Sequence, residues 1–382
     1  MRIAINGWFA AHDAHTGSGQ YLRALLQWLP RVAPEHEYHL VVPRAALEPA
    51  AVPEAAGYQL VPVRCGSSNL AKVWFEQWQF PRACRALRAD LAHVPYWAPP
   101  LASPAPFVVT IHDVIPLVLP EYRAGLSVQL YTSLVSAASA GAALVLTDSQ
   151  ASAGDIQQRL RLPAEKLRTI TLAADPAYSP KGDWHVDDPI REKYGLQEGY
   201  VFYCGGFDRR KNLRALLSAW TWAGGAIGQS YPLVIAGKLP TPDGALFEDL
   251  PALARELGVE DTVKFIGPVE EAEKPALYRG ATVFAYPSRY EGFGLPVLEA
   301  MACGVPVVTT TGGSLPEVVG TAGYLLPPDD TRNFGAAIIT IVVEPQVHDD
   351  LRARGLAQAQ TFSWEKTARE TAAAYGAAVE QK

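Results

Sequence analysis

Cysteine is scarce in this chain and never spaced as a pair. Cys65, Cys84, Cys204 and Cys303 stand alone, with no Cys-x-x-Cys, and the eight histidines form no cluster with them. A disulfide framework and a zinc site are thereby excluded, and a reducing cytoplasm is the expected compartment. Charge is sparse too, at 19% of residues with a net charge of −6. Nucleic-acid affinity rests on neutralising phosphates with clustered Lys and Arg, so no nucleic-acid partner is expected. No run approaches the roughly 18 apolar residues of a membrane span. The chain opens directly on Arg2-Ile-Ala-Ile-Asn6, so no apolar signal segment is expected. Asp-x-Asp occurs nowhere, so a paired-carboxylate clamp for a divalent ion is missing and no metal is expected.

What is present is a globular composition, 49% hydrophobic over 382 residues, too long for one ordinary core and suited to two domains. Short apolar, β-branched runs alternate with helical stretches: 3–6, 39–43, 60–63, 91–95, 107–113, 144–149 and 167–172, then 200–206, 233–237, 263–267, 282–286, 305–309 and 323–326. This alternation predicts an α/β protein with two doubly wound, mostly parallel sheets. Residues 179–189, rich in Pro, Gly and acids, read as the linker, which gives an N-terminal domain over 1–178 and a C-terminal one over 190–361. Ligands in such sheets collect beyond the carboxyl ends of the strands, so two facing domains would offer a cleft with a site on each wall.

The chemistry concentrates in residues 286–313. Pro296 suits the start of a helix and Gly304 the residue just past its end, so a helix is predicted over roughly 296–303. Gly292 and Gly294 form its entry loop. They let backbone pass close to a ligand, with the amides around Phe293 and Leu295 set to meet phosphate or an electron-rich oxygen. Glu291 before the loop and Glu299 on the helix's second turn could hold one ligand at two places, a sugar at one end and a ribose at the other. The alternative is a pair of solvated charges.

The run Glu291-Gly-Phe-Gly-Leu-Pro-Val-Leu-Glu299-Ala-Met-Ala-Cys-Gly-Val-Pro-Val-Val resembles the Glu-x7-Glu signature of family 4 glycosyltransferases, retaining enzymes of the GT-B fold. The resemblance implies two Rossmann-like domains facing a cleft, the first on the acceptor side and the second binding a nucleotide sugar. It also implies a last helix, about 362–382, that crosses back to the first domain. Glu291 would then hold the donor sugar and Glu299 the ribose. No cofactor beyond the nucleotide-sugar co-substrate is implied.

Other motifs carry the same resemblance. Gly17-Ser-Gly19-Gln-Tyr, before an amphipathic run over 21–29, matches the loop that closes on the donor phosphates. A plain turn is the other reading. A nicotinamide fingerprint fits poorly, because the third glycine and the ribose-binding acid are missing. Thr110-Ile-His112-Asp113 ends a strand, and the resemblance places His112 beside the donor sugar, whereas a structural histidine held by Asp113 is the alternative. Arg209-Arg210-Lys211-Asn212 puts three cations at a strand-to-helix junction, where Lys211 with Arg210 or Arg209 would neutralise the departing diphosphate. Gly206 stands where many members have a second phosphate-binding arginine, which leaves the choice of arginine open. Residues 74–77, 147–150, 265–269 and 312–317 extend the match, with Val269 and Glu270 expected near the nucleotide base. Asp148 and Ser149 also read as caps.

The implied activity is retaining transfer of a hexose, first mannose from GDP-mannose, to a saccharide or lipid-linked acceptor. A UDP-sugar transferase, a sugar-nucleotide epimerase and a silent nucleotide-sugar binder are the alternatives. Tyr96, Trp97, Tyr122 and Tyr131 are candidates for stacking on acceptor sugars or for plain packing. Arg82, Arg85 and Arg88, spaced by three on one helix side, suggest weak peripheral contact with anionic lipid or simply a solvated face.

Overall fold

The computed structural model describes residues 1–11, 16–44, 57–123, 125–242 and 246–380. The chain divides into two units, Met1–Leu172 with Ser363–Lys382, and Ala173–Phe362. In the first, strands β1 (Arg2–Asn6), β2 (Glu37–Pro43), β3 (Tyr58–Val63), β4 (Leu91–Val94), β5 (Phe107–Thr110), β6 (Leu144–Thr147) and β7 (Leu167–Thr169) form one parallel sheet in the order β3-β2-β1-β4-β5-β6-β7. The inner strands β4, β5 and β6 are buried at every position, as strands covered by helices on both faces must be. The edge strand β3 is only partly buried and tolerates Pro62, whose missing N–H costs nothing on an edge.

The second unit repeats the plan with β8 (Val201–Cys204), β9 (Leu233–Ala236), β10 (Val263–Gly267), β11 (Val283–Tyr286), β12 (Val307–Thr310) and β13 (Gly323–Leu326), ordered β10-β9-β8-β11-β12-β13 and parallel throughout. In both sheets the order reverses beside the first strand, between β1 and β4 and between β8 and β11. Loops leaving those two strand ends diverge to opposite faces and open the crevice where α/β proteins bind ligands.

All thirteen strands of the described residues lie where the apolar runs placed them, but several are shorter. β5 ends at Thr110 and β6 at Thr147, so His112, Asp148 and Ser149 stand on the loops beyond. The expected linker over 179–189 is partly helical. Trp184–Lys193 is a helix, capped by Asp183 accepting from the His185 N–H at 3.0 Å. Asp187 on it takes two hydrogen bonds of 2.6 Å from Arg279, and the unit boundary falls earlier, after Leu172. A composition rich in Pro and acids cannot reveal that buried pair. The C-terminal stretch forms three helices, Thr331–Val343, Pro345–Ala359 and Trp364–Glu380. The last belongs to the first unit, where Thr367 Oγ1 donates to the Thr171 carbonyl at 2.6 Å and the Tyr375 hydroxyl meets His93 Nδ1 at 2.7 Å.

Candidate active site

The loops leaving β8 and β11 bring together residues about eighty positions apart. After β8 the chain turns through the short 3-10 segment Arg209–Lys211, which Asn212 closes in the left-handed conformation (φ 58), a backbone region that Asn tolerates better than most residues. The Asn212 amide donates to the Pro287 and Pro328 carbonyls at 3.1 and 2.8 Å. It thereby fastens the cationic turn to the loop after β11. Glu291 on that loop is 8% exposed. Its Oε1 accepts from Lys211 Nζ at 2.7 Å, Ser288 Oγ at 2.6 Å and the Tyr286 hydroxyl at 3.0 Å, while Arg210 meets Oε2 at 2.8 Å. Lys211 Nζ also donates to the Tyr286 hydroxyl at 2.7 Å.

These contacts set the charges. Burial by itself would raise the Glu291 carboxyl, but Lys211 and then Arg210 outweigh it and hold the group at about 2. Lys211 moves the other way, its ammonium drawn below the usual range because burial exceeds the pull of Glu291. Arg210 is braced by Asp208 at 3.5 Å and donates to the Tyr290 carbonyl at 2.8 Å. Arg209 is more exposed and lies 3.9 Å from Glu248. Of the two arginines, Arg210 is therefore the one that shares Glu291 with Lys211.

The glycine loop and helix follow. Gly294 has φ 109 and caps the helix Leu295–Ala302, one residue earlier than the predicted start, with Gly304 (φ 76) two positions beyond its end. Gly292 and Phe293 are buried, and the Phe293 ring packs edge-on against Phe362 at 5.8 Å. Behind the loop, Ser314 Oγ donates to the Glu291 and Phe293 carbonyls at 3.0 and 2.6 Å. A Cβ on Gly313 would fall 2.3 Å from the Glu291 carbonyl oxygen, so this close approach requires glycine.

Glu299 has different company. It is 7% exposed and accepts from the Tyr278 hydroxyl at 3.0 Å. Burial pushes its carboxyl up to about 7, against the opposing pull of Lys274 and with Glu271 adding to the rise. Glu271 in turn accepts from Tyr178 at 2.7 Å and Lys274 at 2.5 Å. Val269, half-buried, and Glu270, exposed, lie between the end of β10 and this cluster.

In the first unit, Gly17 and Gly19 are not a loop ahead of a helix but its first turn. The helix is Gly17–Val32, and Thr16 Oγ1 caps it by accepting from the Gly19 N–H at 3.3 Å. His112 is held by Asp148, not by Asp113, at 2.7 Å from Nδ1. Asp113 instead caps the next turn by accepting from the Ile115 N–H at 3.0 Å. Burial would lower the His112 imidazole, but the Asp148 carboxylate outweighs it and raises it. Its Nε2 is buried, and the backbone at Pro95 adds to the rise. A second Lys–Glu pair, with a half-buried lysine and a buried glutamate, lies near the reversal of this sheet. Lys72 Nζ stands 3.8 Å from Glu76 and over the rings of Phe9, Tyr96 and Tyr131 at 5.1, 5.3 and 5.7 Å. Tyr96 also donates to Asn6 at 3.2 Å and Tyr131 to Glu76 at 3.1 Å.

Sequence reasoning missed Tyr286, Ser288 and Asp148 as partners, and the Tyr178, Glu271, Lys274 and Tyr278 set around Glu299. No periodicity marks them. Tyr286, Ser288 and Asp148 stand at or just beyond strand ends, whereas Tyr178, Glu271, Lys274 and Tyr278 carry no such signal.

Two doubly wound units with this charged crevice define a glycosyltransferase of the GT-B class. Residues 15–178 match the family model described as Glycosyltransferase Family 4, and residues 186–358 that described as Glycosyl transferases group 1. The O-antigen chain mannosyltransferase B of Escherichia coli is 37% identical over 269 residues, which is 70% of this chain and 69% of that one. Sucrose-phosphate synthase from Thermosynechococcus elongatus superposes with a TM-score of 0.77 at 22% identity, covering 100% of both chains. Anabaena Alr3699/HepE, solved in complex with UDP and glucose, gives 0.73 at 20% identity over 98% of this chain and 99% of its own. The chain belongs to glycosyltransferase family 4 and is similar to bacterial mannosyltransferases of polysaccharide assembly.

Proposed function

We propose that the enzyme transfers mannose from GDP-mannose to a hydroxyl of a saccharide or lipid-linked acceptor, with retention at the anomeric carbon and without a metal. The observation that carries this reading is the Lys211–Glu291–Arg210 cluster at the reversal of the second sheet, taken with the mannosyltransferase named above. In the reaction, hydroxyls of the donor sugar take up Glu291, and the diphosphate takes up Lys211 and Arg210. The diphosphate gains negative charge as the glycosidic bond breaks, so fixed cations stabilise the transition state more than the bound substrate. Glu299 binds the ribose. His112, oriented by Asp148, turns its Nε2 edge to a sugar hydroxyl, and the leaving phosphate oxygen takes the acceptor proton on the same face. Amides near Phe293 to Leu295 orient the sugar and the phosphate next to it.

The test is a thermal-shift panel of GDP-, UDP- and ADP-sugars, in which a donor at a hundred times its Kd adds about 2.7 kcal/mol. Transfer in EDTA is then followed by NMR assignment of the product anomer. Stabilisation by GDP-mannose, EDTA-resistant turnover and a product anomer like the donor's are expected. A UDP-sugar preference, inversion, or activity restored only by magnesium or manganese would each refute one part of the reading.

A further inference from the structure

Residues 69–87 run as the helix Asn69–Trp74, a π-turn over Phe75–Gln79 and the helix Phe80–Leu87. One face is core: Phe75, Glu76, Phe80 and Cys84 are fully buried. The opposite face is apolar as well, and it is open. Leu70, Trp74 and Trp78 follow at intervals of four and are 84%, 51% and 59% exposed. The two indoles stack, with centroids 5.7 Å apart and planes at 17°. Gln77 ties the next loop alongside by donating to the Pro99 carbonyl at 3.1 Å and accepting from the Leu101 N–H at 2.9 Å. Leu101 is itself 62% exposed.

Arg82, the next residue at an interval of four, and Arg85 line an open groove of about 610 Å³ together with Trp78 and Ser103. Arg88, expected on the same side, is past the helix end in the left-handed conformation (φ 51). A stripe that is apolar, then aromatic, then cationic is the pattern of a segment lying in a membrane interface. Four residues of helical rise put Arg82 roughly 6 Å along the axis from Trp78, so indoles at the headgroup level bring the guanidinium within reach of lipid phosphate. The net charge of −6 gives the rest of the chain no attraction to such a surface. Among the described residues no helix is long and apolar enough to cross a membrane.

We propose that this face docks on an anionic phospholipid bilayer, with Leu70, Trp74, Trp78 and Leu101 entering the interface and Arg82 and Arg85 holding lipid phosphates at the groove. The surface is independent of the donor chemistry. The test is co-sedimentation of the full chain with vesicles of phosphatidylcholine alone or mixed with phosphatidylglycerol. Wild type should pellet with the anionic vesicles. Trp74→Ser with Trp78→Ser should lower the affinity on the order of tenfold or more. Arg82→Gln with Arg85→Gln should lower it roughly thirtyfold on anionic vesicles and abolish its salt dependence. Unchanged stabilisation by the nucleotide sugar that wild type binds shows that each variant is folded. Failure of wild type to pellet, or equal pelleting of wild type and the tryptophan variant, would overturn the proposal. So would a dimer in sedimentation velocity that the tryptophan variant abolishes, because a second copy would then own the face.

Discussion

Glu291 and Glu299, eight positions apart, should respond to pH with opposite signs. Glu299 sits at about 7 in the fold against an ordinary 4.5. Between those values the unfolded chain releases a proton that the folded one retains, so its contribution falls as pH rises through the window and is fully lost above about 7. At 1.36 kcal/mol per pH unit the cost by pH 8 is on the order of 3 kcal/mol. Glu299→Gln keeps an acceptor for Tyr278 and removes that cost, so the variant should match wild type near pH 4 and exceed it by about 3 kcal/mol at pH 8. Glu291 sits at about 2 against the same 4.5. Its contribution is present above 4.5 and lost as pH falls through 2, so Glu291→Gln should cost on the order of 3 kcal/mol at neutral pH. Leaving Lys211 and Arg210 buried without their carboxylate acts in the same direction. Urea unfolding followed by circular dichroism, at pH 4, 6 and 8 for the Glu299 variant and at pH 3, 5 and 7 for the Glu291 variant, reads the two slopes. A Glu299→Gln difference that does not change with pH, or a neutral Glu291→Gln at pH 7, would refute the assignment of partners.

Glu299→Ala should weaken donor binding more than turnover, since ribose contacts change little along the reaction, while Glu291→Ala should depress turnover; steady-state kinetics with saturating donor separate the two. Lys211→Met should lower turnover roughly a hundredfold or more, the scale of losing one preorganised donor, and near-normal turnover would move the role to Arg210. Asp148→Asn should let the His112 imidazole titrate at lower pH, because the largest influence opposing burial would be gone, and an NMR titration of the ring reads it directly. Gly313→Ala should cost on the order of 1–3 kcal/mol, seen as a lower Tm, because φ is 60 and the added Cβ meets the Glu291 carbonyl.

The sequence by itself determined what depends on neighbours along the chain. Thirteen apolar runs became thirteen strands because β-branched stretches bounded by turns have few other ways to bury both faces. Pro296 and Gly304 bracketed the helix within one residue, since caps act over a single turn. The positions of Glu291, Lys211 and His112 beyond strand ends were legible for the same reason. What the tertiary structure decided is what each charge meets. Lys211 reaches Glu291 only because β8 and β11 are adjacent at the reversal of the sheet, and His112 finds Asp148 only because β5 pairs with β6. Two glutamates on one short segment differ because desolvation and ion pairing follow distance in space and not separation in sequence. The same holds for the exposed stripe of Leu70, Trp74 and Trp78. An apolar residue spaced by four reads as core until the fold shows that Phe75, Glu76 and Phe80 fill the inner face and leave the tryptophans outside.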